Sequence, residues 1–405
     1  MTGNTEVLKS FHTYKKQGVD YKISEERKDM ADNRKMQQAK AAKNDEFYTE
    51  YRTISDEMGH YRTQFEGQVV YCNCDDPEWS NFWRYFHSNF GSLKLKKLIC
   101  THYQQEAGAP SYALIYEGGD DFNMEAGYTV PIAGNGDYNA GDFRSDACIE
   151  FLKKSTIVTT NPPFSLFREY VAQLIKYEKK FIILGNQNAS HNKDIFPLFK
   201  ENKLWYGASI HSGGVDFRMP DDYEEYSDNV FIKNGHHYIN LAGIRWFTNM
   251  DVKYRHDGLW HKNGEFDNTQ AHCYYEGNED RYPHYYNFNG IDVDSASNIP
   301  IDYTGYMGVP ITILDKYNPS ELEILGTGSD IEKTMTHMVT EEKKTIAYVR
   351  PDGSVAWSAP YTVSERKLGN GLRIMNANGL PGASPFSRII VRNLHPISKA
   401  DDKGF

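Results

Sequence analysis

Between residues 67 and 186 short apolar runs alternate with amphipathic stretches. Gly67 introduces Gln68-Val69-Val70-Tyr71-Cys72-Asn73, Leu95 to Thr101 repeats the pattern, and Ser155 to Thr160 and Lys180 to Asn186 repeat it again. Runs this short and this apolar read as strands buried on both faces. Residues 51–65, a stretch from Phe82, residues 145–153 and residues 166–178 carry helical spacing between them. Residues 112–117 and 126–132 read as a hairpin. Strands alternating with helices predict an α/β fold built on an open parallel sheet, with polar residues gathered at the strands' carboxyl ends.

The rhythm differs on either side. Residues 5–43 are polar and helix-prone, so residues 1–43 read as a helical arm. Beyond about residue 200, short aromatic strands alternate with the turn pairs Asn234-Gly235, Asp257-Gly258 and Asn263-Gly264. Trp246, Trp260 and the tyrosines of 274–286 suit an α+β module that embraces a partner. Val309 to Leu314 and Ser387 to Arg392 read as strands that rejoin the core. Three regions follow: 1–43, a core over 44–200, and 201–405.

The chain's 405 residues suffice for two domains. It has no apolar run of about eighteen residues and no apolar leader, so neither a membrane span nor an export signal is expected. Five cysteines lack zinc-ligand spacing, which predicts no metal and suits a reducing cytoplasm. The net charge of −10 argues against a nucleic-acid partner until its distribution is considered. Residues 333–399 hold ten basic and four acidic residues, whereas residues 274–332 hold two and eleven. A positive cleft is compatible with a negative total.

The most specific chemistry is Asn161-Pro162-Pro163-Phe164, set between a strand and a helix start. The exocyclic amine of a purine is a poor nucleophile because its lone pair is delocalised. Acceptors that draw its hydrogens favour a more tetrahedral nitrogen. The Asn161 side-chain carbonyl and the Pro162 backbone carbonyl are two such acceptors. Two prolines aim the second by fixing φ twice. Phe164 supplies a stacking face for a base flipped out of a duplex. The alternative is a plain Pro-Pro loop with Phe164 in the core.

A methyl donor would lie across the carboxyl edge of the sheet. The first strand-to-helix loop, Asn73 to Asn81, is the natural cradle, although it has no glycine. Asp75, Asp76 and Ser80 either hold the donor's amino-acid end or only cap the next helix. Asp142-Phe143 can meet an adenine through an acceptor and a ring. Thr101-His102 sits where ribose hydroxyls are often bound, without the usual acidic residue. Phe47-Tyr48-Thr49 either folds over the donor pocket or staples a helix.

Taken in order, Asn44 to Thr49, Cys72-Asn73-Cys74-Asp75-Asp76-Pro77, Gly141 to Ser145, Asn161 to Phe164, and Val309 to Pro319 resemble the EcoRI-type adenine-specific DNA methyltransferase family. The likeness covers roughly residues 44–330. It implies a Rossmann-like class I methyltransferase sheet followed by a target-recognition region. It also implies S-adenosylmethionine-dependent methylation of adenine N6 in double-stranded DNA of a bacterium or phage, alone or beside a restriction endonuclease acting on the same site. Position by position, Phe47, Tyr48 and Thr49 match motif X. Asn73, Asp75, Asp76 and Pro77 match motif I, Asp142 and Phe143 match motif III, and Asn161, Pro162, Pro163 and Phe164 match the catalytic motif IV. Thr101 joins the donor set by position. RNA adenine or protein glutamine as acceptor, and an inactive DNA-binding protein on the same fold, are the alternatives. His211, Arg218, Arg245 and Arg255 are candidate base readers or ordinary surface residues.

Overall fold

The apolar runs of the sequence become neighbouring strands. A computed structural model describes residues 48–401, apart from 75, 105, 107, 212, 220–229, 263–264, 268–270, 286–287, 329–346, 350–354, 358–372, 376–380 and 384–387. The expected arm over residues 1–43 lies outside the described residues, as do Phe47, Asp75 and Asn263-Gly264. In chain order the first elements are β1 (Tyr48–Thr49), α1 (Tyr51–Met58), β2 (Val69–Cys72), α2 (Asn81–Ser88), β3 (Lys97–Thr101), β4 (Ser111–Tyr116) and β5 (Tyr128–Ile132). They are followed by α3 (Asp146–Lys154), β6 (Ile157–Thr160), α4 (Phe167–Lys176), β7 (Lys180–Asn186), α5 (Phe196–Lys200) and β8 (Trp205–Tyr206). Then come β9 (Gly214–Arg218), β10 (Val230–Lys233), β11 (His236–Ala242) and β12 (Ile244–Thr248).

Eight strands form the main sheet in the order β5-β4-β3-β2-β6-β7-β12-β8. Its four central strands are parallel, with Tyr71 opposite both Ile99 and Val158, and Val158 opposite Phe181. β6 is buried at every position and β7 at Phe181 to Gly185, as strands covered on both faces must be. Ser80 caps α2 by accepting from the Phe82 and Trp83 N–H groups at 3.1 and 3.2 Å, and Ser145 caps α3 through the Cys148 N–H.

Two expectations about this sheet change. It is mixed rather than wholly parallel: β4 follows β3 through a short connection and pairs antiparallel, as do β12 with β7 and β8 with β12. It also continues past residue 200, because β8 and β12 complete it.

The remaining strands make smaller sheets. β1 joins β9, β11 and β10, and the Asn234-Gly235 pair closes the β10–β11 hairpin with both residues at positive φ, as such two-residue turns require. β13 (His261–Lys262) pairs with β14 (Glu265–Phe266). β15 (Gly290–Asp292), β16 (Tyr306–Pro310) and β17 (Leu322–Thr327) precede two short hairpins. These are β18 (Ala347–Val349) with β19 (Val355–Trp357) and β20 (Arg373–Met375) with β21 (Pro381–Ala383). β22 is Arg388–Asn393.

The strands expected to rejoin the core sheet, β16 and β22, instead pair with each other in a separate four-stranded sheet, β15-β16-β22-β17. Beyond Pro310, which has no N–H to donate, Ile311–Asp315 turns into a 3-10 helix rather than extending the strand. The two sheets still share one hydrophobic cluster, in which Phe167, Phe199 and Phe247 belong with Ile324, Ile389 and Val391. Trp246 and Trp260 are buried in the molecule itself rather than offered to a partner. Among the described residues after 200 the elements are strands and 3-10 turns, so the helical part of the expected α+β module is absent there.

Candidate active site

Chain order reverses direction within the sheet at β2: β3 lies on one side of it, and β6 with β7 on the other. A crevice opens outside the carboxyl ends of such strands. The described residues that leave β2 and β6 there are Asn73, Cys74, Asp76 to Ser80, and Asn161 to Phe164.

The two segments are bonded directly. The Thr160 hydroxyl donates to the Asn73 backbone carbonyl, and the Tyr170 hydroxyl on α4 donates to the Asn73 side-chain carbonyl. Asn73 is therefore buried, clasping the loop after β2 to the strand and helix around Asn161. Burial pushes the Tyr170 phenol well above its ordinary pKa, so it remains a hydroxyl donor. Asn161 and Pro162 are buried, whereas Pro163 and Phe164 are half-buried. A 3-10 turn over Phe164–Leu166 leads into α4, closed by the Leu166 N–H on the Pro163 carbonyl at 3.0 Å.

The loop after β2 makes its turn without glycine by holding Cys74 at φ 62°. Glycine visits this left-handed region freely, whereas other residues do so at some cost. Asp76 then organises the turn: its carbonyl accepts from the Trp79 and Ser80 N–H groups, and its Oδ1 from the Glu78 N–H at 2.9 Å. Pro77 is buried beneath. From the other direction, Asn81 at the start of α2 donates to the Thr49 carbonyl at 2.7 Å, which brings β1 to the same edge. The Thr49 hydroxyl is buried there with no hydrogen-bond partner.

At the end of β3, Thr101 turns inward. It is fully buried, with its hydroxyl 3.1 Å from the Tyr71 hydroxyl. His102 beside it is half-buried and reaches across to Asp76, Nε2 to Oδ2 3.6 Å. Gly141, at φ 85°, lies against the His102 carbonyl so closely that a Cβ there would sit 1.9 Å from that oxygen. This contact carries Asp142-Phe143 to the same edge.

Asp142 is a clamped carboxylate, accepting at Oδ1 from the Arg144 N–H and Nε (both 2.9 Å) and at Oδ2 from Nη2 at 2.8 Å. Arg144 lies over the Tyr138 ring and also reaches Glu169 on α4. Phe143 is 3% exposed and meets Tyr170 edge to face at 5.0 Å. Its ring supports the tyrosine that holds Asn73.

The fold thus gathers Tyr48, Thr49, Asn73, Asp76, Pro77, Thr101, Asp142, Phe143 and Asn161 to Phe164 at strand ends and loops along one sheet edge. Of these, Tyr48, Asp76, Asp142, Pro163 and Phe164 are part-exposed, and the rest are buried. The motif reading missed Tyr170, Tyr112 and Ser111. No motif marks them, and only the register of β4 beside β3 and the placement of α4 bring them in.

The candidate base readers lie elsewhere. Arg245 is buried in a two-point ion pair with Asp315 (2.8 and 3.3 Å) and donates to the His211 carbonyl. Arg255 stacks on Trp205 at 3.5 Å, and Arg218 bonds His236. No helix among the described residues is long and apolar enough to cross a membrane.

A family model described as adenine-specific methyltransferase EcoRI matches residues 35–393. The Type II methyltransferase M.EcoRI of Escherichia coli is 44% identical over 301 residues, covering 73% of this chain and 89% of that protein. M.MgeORF184P of Mycoplasma genitalium is 39% identical over 290 residues, covering 71% and 84%. M.MpnI of Mycoplasma pneumoniae is 38% identical over 315 residues, covering 77% and 90%.

Proposed function

The chain belongs to the family of the adenine-specific methyltransferase EcoRI, and from that premise we propose that it methylates N6 of adenine in double-stranded DNA at a short recognition sequence, with S-adenosylmethionine as donor. The observation that carries this reading is the clasp between the two segments at the switch point. Thr160 and Tyr170 bind Asn73, so the loop after β2 and the Asn161–Phe164 tetrapeptide form one rigid edge. Likeness to proteins named Type II methyltransferases supports DNA as the acceptor. On the same reading the sheet is a Rossmann-like class I methyltransferase core, with target recognition falling to the region after residue 200. A cytoplasmic setting and a cognate restriction endonuclease belong to the same proposal.

The residues present fit the donor. Asp76 brings a carboxylate to an edge where the Thr49 hydroxyl is buried without a partner. An amino-acid ammonium and ribose hydroxyls are donors that carboxylates bind well. Tyr48, Asp76 and Asp142, which are part-exposed, would hold it, with the buried Thr49, Asn73, Pro77, Thr101 and Phe143 supporting them; Asp75 belongs to the same motif as Asp76. Phe47 belongs to the motif that contains Tyr48 and Thr49. When bound, S-adenosylmethionine supplies an electrophilic methyl group on a positive sulfur.

The protein's part is positioning. Asn161 and the Pro162 carbonyl accept the two N6 hydrogens of a flipped adenine, Pro163 fixes the direction of that carbonyl, and Phe164 lies against the base. Orientation and preorganised acceptors lower the barrier without a covalent enzyme intermediate.

Transfer of tritiated methyl groups to DNA, RNA and protein in parallel tests the acceptor. Label in DNA alone is expected, and label only in RNA or protein would replace this assignment. Asn161→Ala is expected to abolish transfer while calorimetry finds donor affinity within a few-fold of the parent. Full activity in that variant would remove Asn161 from the chemistry.

A further inference from the structure

Asn161 and the Pro162 carbonyl, as acceptors, read an amine and nothing else. Cytosine carries an amine at N4 as adenine does at N6, so the tetrapeptide alone does not tell the two bases apart. What separates them beside the amine is N7, an acceptor that adenine has and cytosine lacks. Selectivity therefore calls for a hydrogen-bond donor next to Asn161. β7 supplies one. Thr160, the last residue of β6, faces Ile183, and β7 continues to Asn186 while its neighbour turns away through Asn161 to Phe164. Adjacent strands lie about 4.8 Å apart, so Asn186 flanks the tetrapeptide. A Cβ on Gly185 would strike Phe167 of α4, which puts Ile183 and Gly185 on the α4 face and Leu184 and Asn186 on the other. The same alternation, carried one residue past Thr160, sends Asn161 to that other face. Both asparagines thus leave the sheet edge on one side of it.

The Asn186 amide is also oriented. Its Oδ1 accepts from the Asn188 N–H at 2.9 Å, so the oxygen is identified by its partner and Nδ2 takes the opposite direction. The turn that holds it is tied down. The Gln187 N–H donates to the Gly243 carbonyl at 2.7 Å, and the hydroxyl of the fully buried Ser190 donates to the Gln187 carbonyl at 2.6 Å. Asn186 itself pairs with Ile244 of β12. It is half-buried, and no acceptor among the described residues is bonded to its Nδ2. A fixed amide donor without a partner, beside the acceptors for the amine, has the chemistry that N7 requires.

We propose that Asn186 Nδ2 donates to N7 of the flipped adenine and makes the site selective for adenine over cytosine. With Asn161 it divides between two strands the acceptor–donor pair that a single asparagine offers an adenine edge in a DNA groove. The contact rests on the DNA-adenine reading above and deepens it by naming the atom that recognises the ring.

Single-molecule sequencing of DNA from cells expressing the full chain identifies its site, and duplexes carrying adenine, 7-deazaadenine or 1-deazaadenine at the target position then test the contact. The parent protein is expected to use the 7-deaza duplex with kcat/KM lower by roughly ten-fold, the size of one buried hydrogen bond. Asn186→Asp keeps the oxygen that caps the turn and removes the donor. It should lose a similar factor on adenine, yet show no penalty for 7-deazaadenine, or prefer it, because its carboxylate repels N7. Its activity on a cytosine placed at the target position should rise relative to adenine, and calorimetry should find donor affinity within a few-fold of the parent. The 1-deaza penalty should be the same in parent and variant. If Asn186→Asp fails to fold, by its melting curve, Asn186→Ser, whose hydroxyl can still cap the turn, carries the same comparison. A parent without a 7-deaza penalty, or a folded variant that retains the penalty, overturns the contact. So does a variant that loses the 1-deaza penalty in its place. Absence of methylated adenine from the sequenced DNA would instead overturn the DNA-adenine reading itself.

Discussion

At the residue scale, position along the chain was legible and side-chain direction was not. Asn73, Thr101 and Phe143 stand at the strand and loop ends that the apolar pattern marks, yet all three are buried. A strand's alternation continues through its last residue, so Thr101 turns toward Tyr71 while His102 faces out. Cys74 illustrates the complement. The missing glycine of the donor loop reads as a defect in sequence, but Cys74 adopts the left-handed conformation itself. Cys74→Gly is expected to leave stability within about 1 kcal/mol, because relief of the backbone strain offsets the added freedom of the unfolded chain. Cys74→Val, whose branched Cβ resists this region, should lower stability by about 2 kcal/mol or more. Urea unfolding of the two variants measures both, and a valine variant as stable as the parent would remove the strain argument.

At the element scale, the helices and parallel strands fall close to where periodicity places them, because each element's burial pattern depends on its own residues. How loops meet is set by contacts distant in sequence. Gly141 packing on the His102 carbonyl is one such contact, and no local rule announces it. Gly136 provides an internal comparison: its φ of 89° matches the 85° of Gly141, but a Cβ on it would meet nothing within 4 Å. Gly136→Ala should therefore lose only the backbone preference, about 1 kcal/mol. Gly141→Ala should lose that and a steric term, roughly 3 kcal/mol in all, and weaken donor binding as the loop is pushed from His102. Equal melting temperatures for the two variants would show that the close approach does not constrain the loop. Arg245 makes the same point about charge. In sequence it is a candidate base reader or an ordinary surface residue; the fold instead buries it and pairs it with the part-buried Asp315.

At the scale of the whole molecule, the change of rhythm near residue 200 marks a change of pattern rather than the edge of a body. β12 pairs along Ile182 to Asn186, and β8 then covers β12. Phe247 meets Phe167, Phe199 and Tyr206 ring to ring at 4.8, 6.1 and 5.1 Å. Gly185 is the small residue that lets this cluster close, since a Cβ there would strike both Phe167 and Phe247. Glu57 adds a polar clasp: fully buried on α1, it accepts from the Tyr61 hydroxyl and from the Ala208 and Ser209 N–H groups beyond α5. A chain ending at Lys200 would leave β7 as a bare, apolar edge strand and Glu57 as a buried carboxylate stripped of most of its donors. Unpaired strand edges promote aggregation, and a stranded buried charge costs about 3–5 kcal/mol. Residues 44–200 expressed alone are therefore expected to aggregate or to unfold without a cooperative transition, whereas the full chain should lose its main sheet in one step. A soluble 44–200 fragment with a sharp urea transition and parent-like donor affinity would show instead that the catalytic half is autonomous. The shared core would then be a docking contact between two separately stable halves.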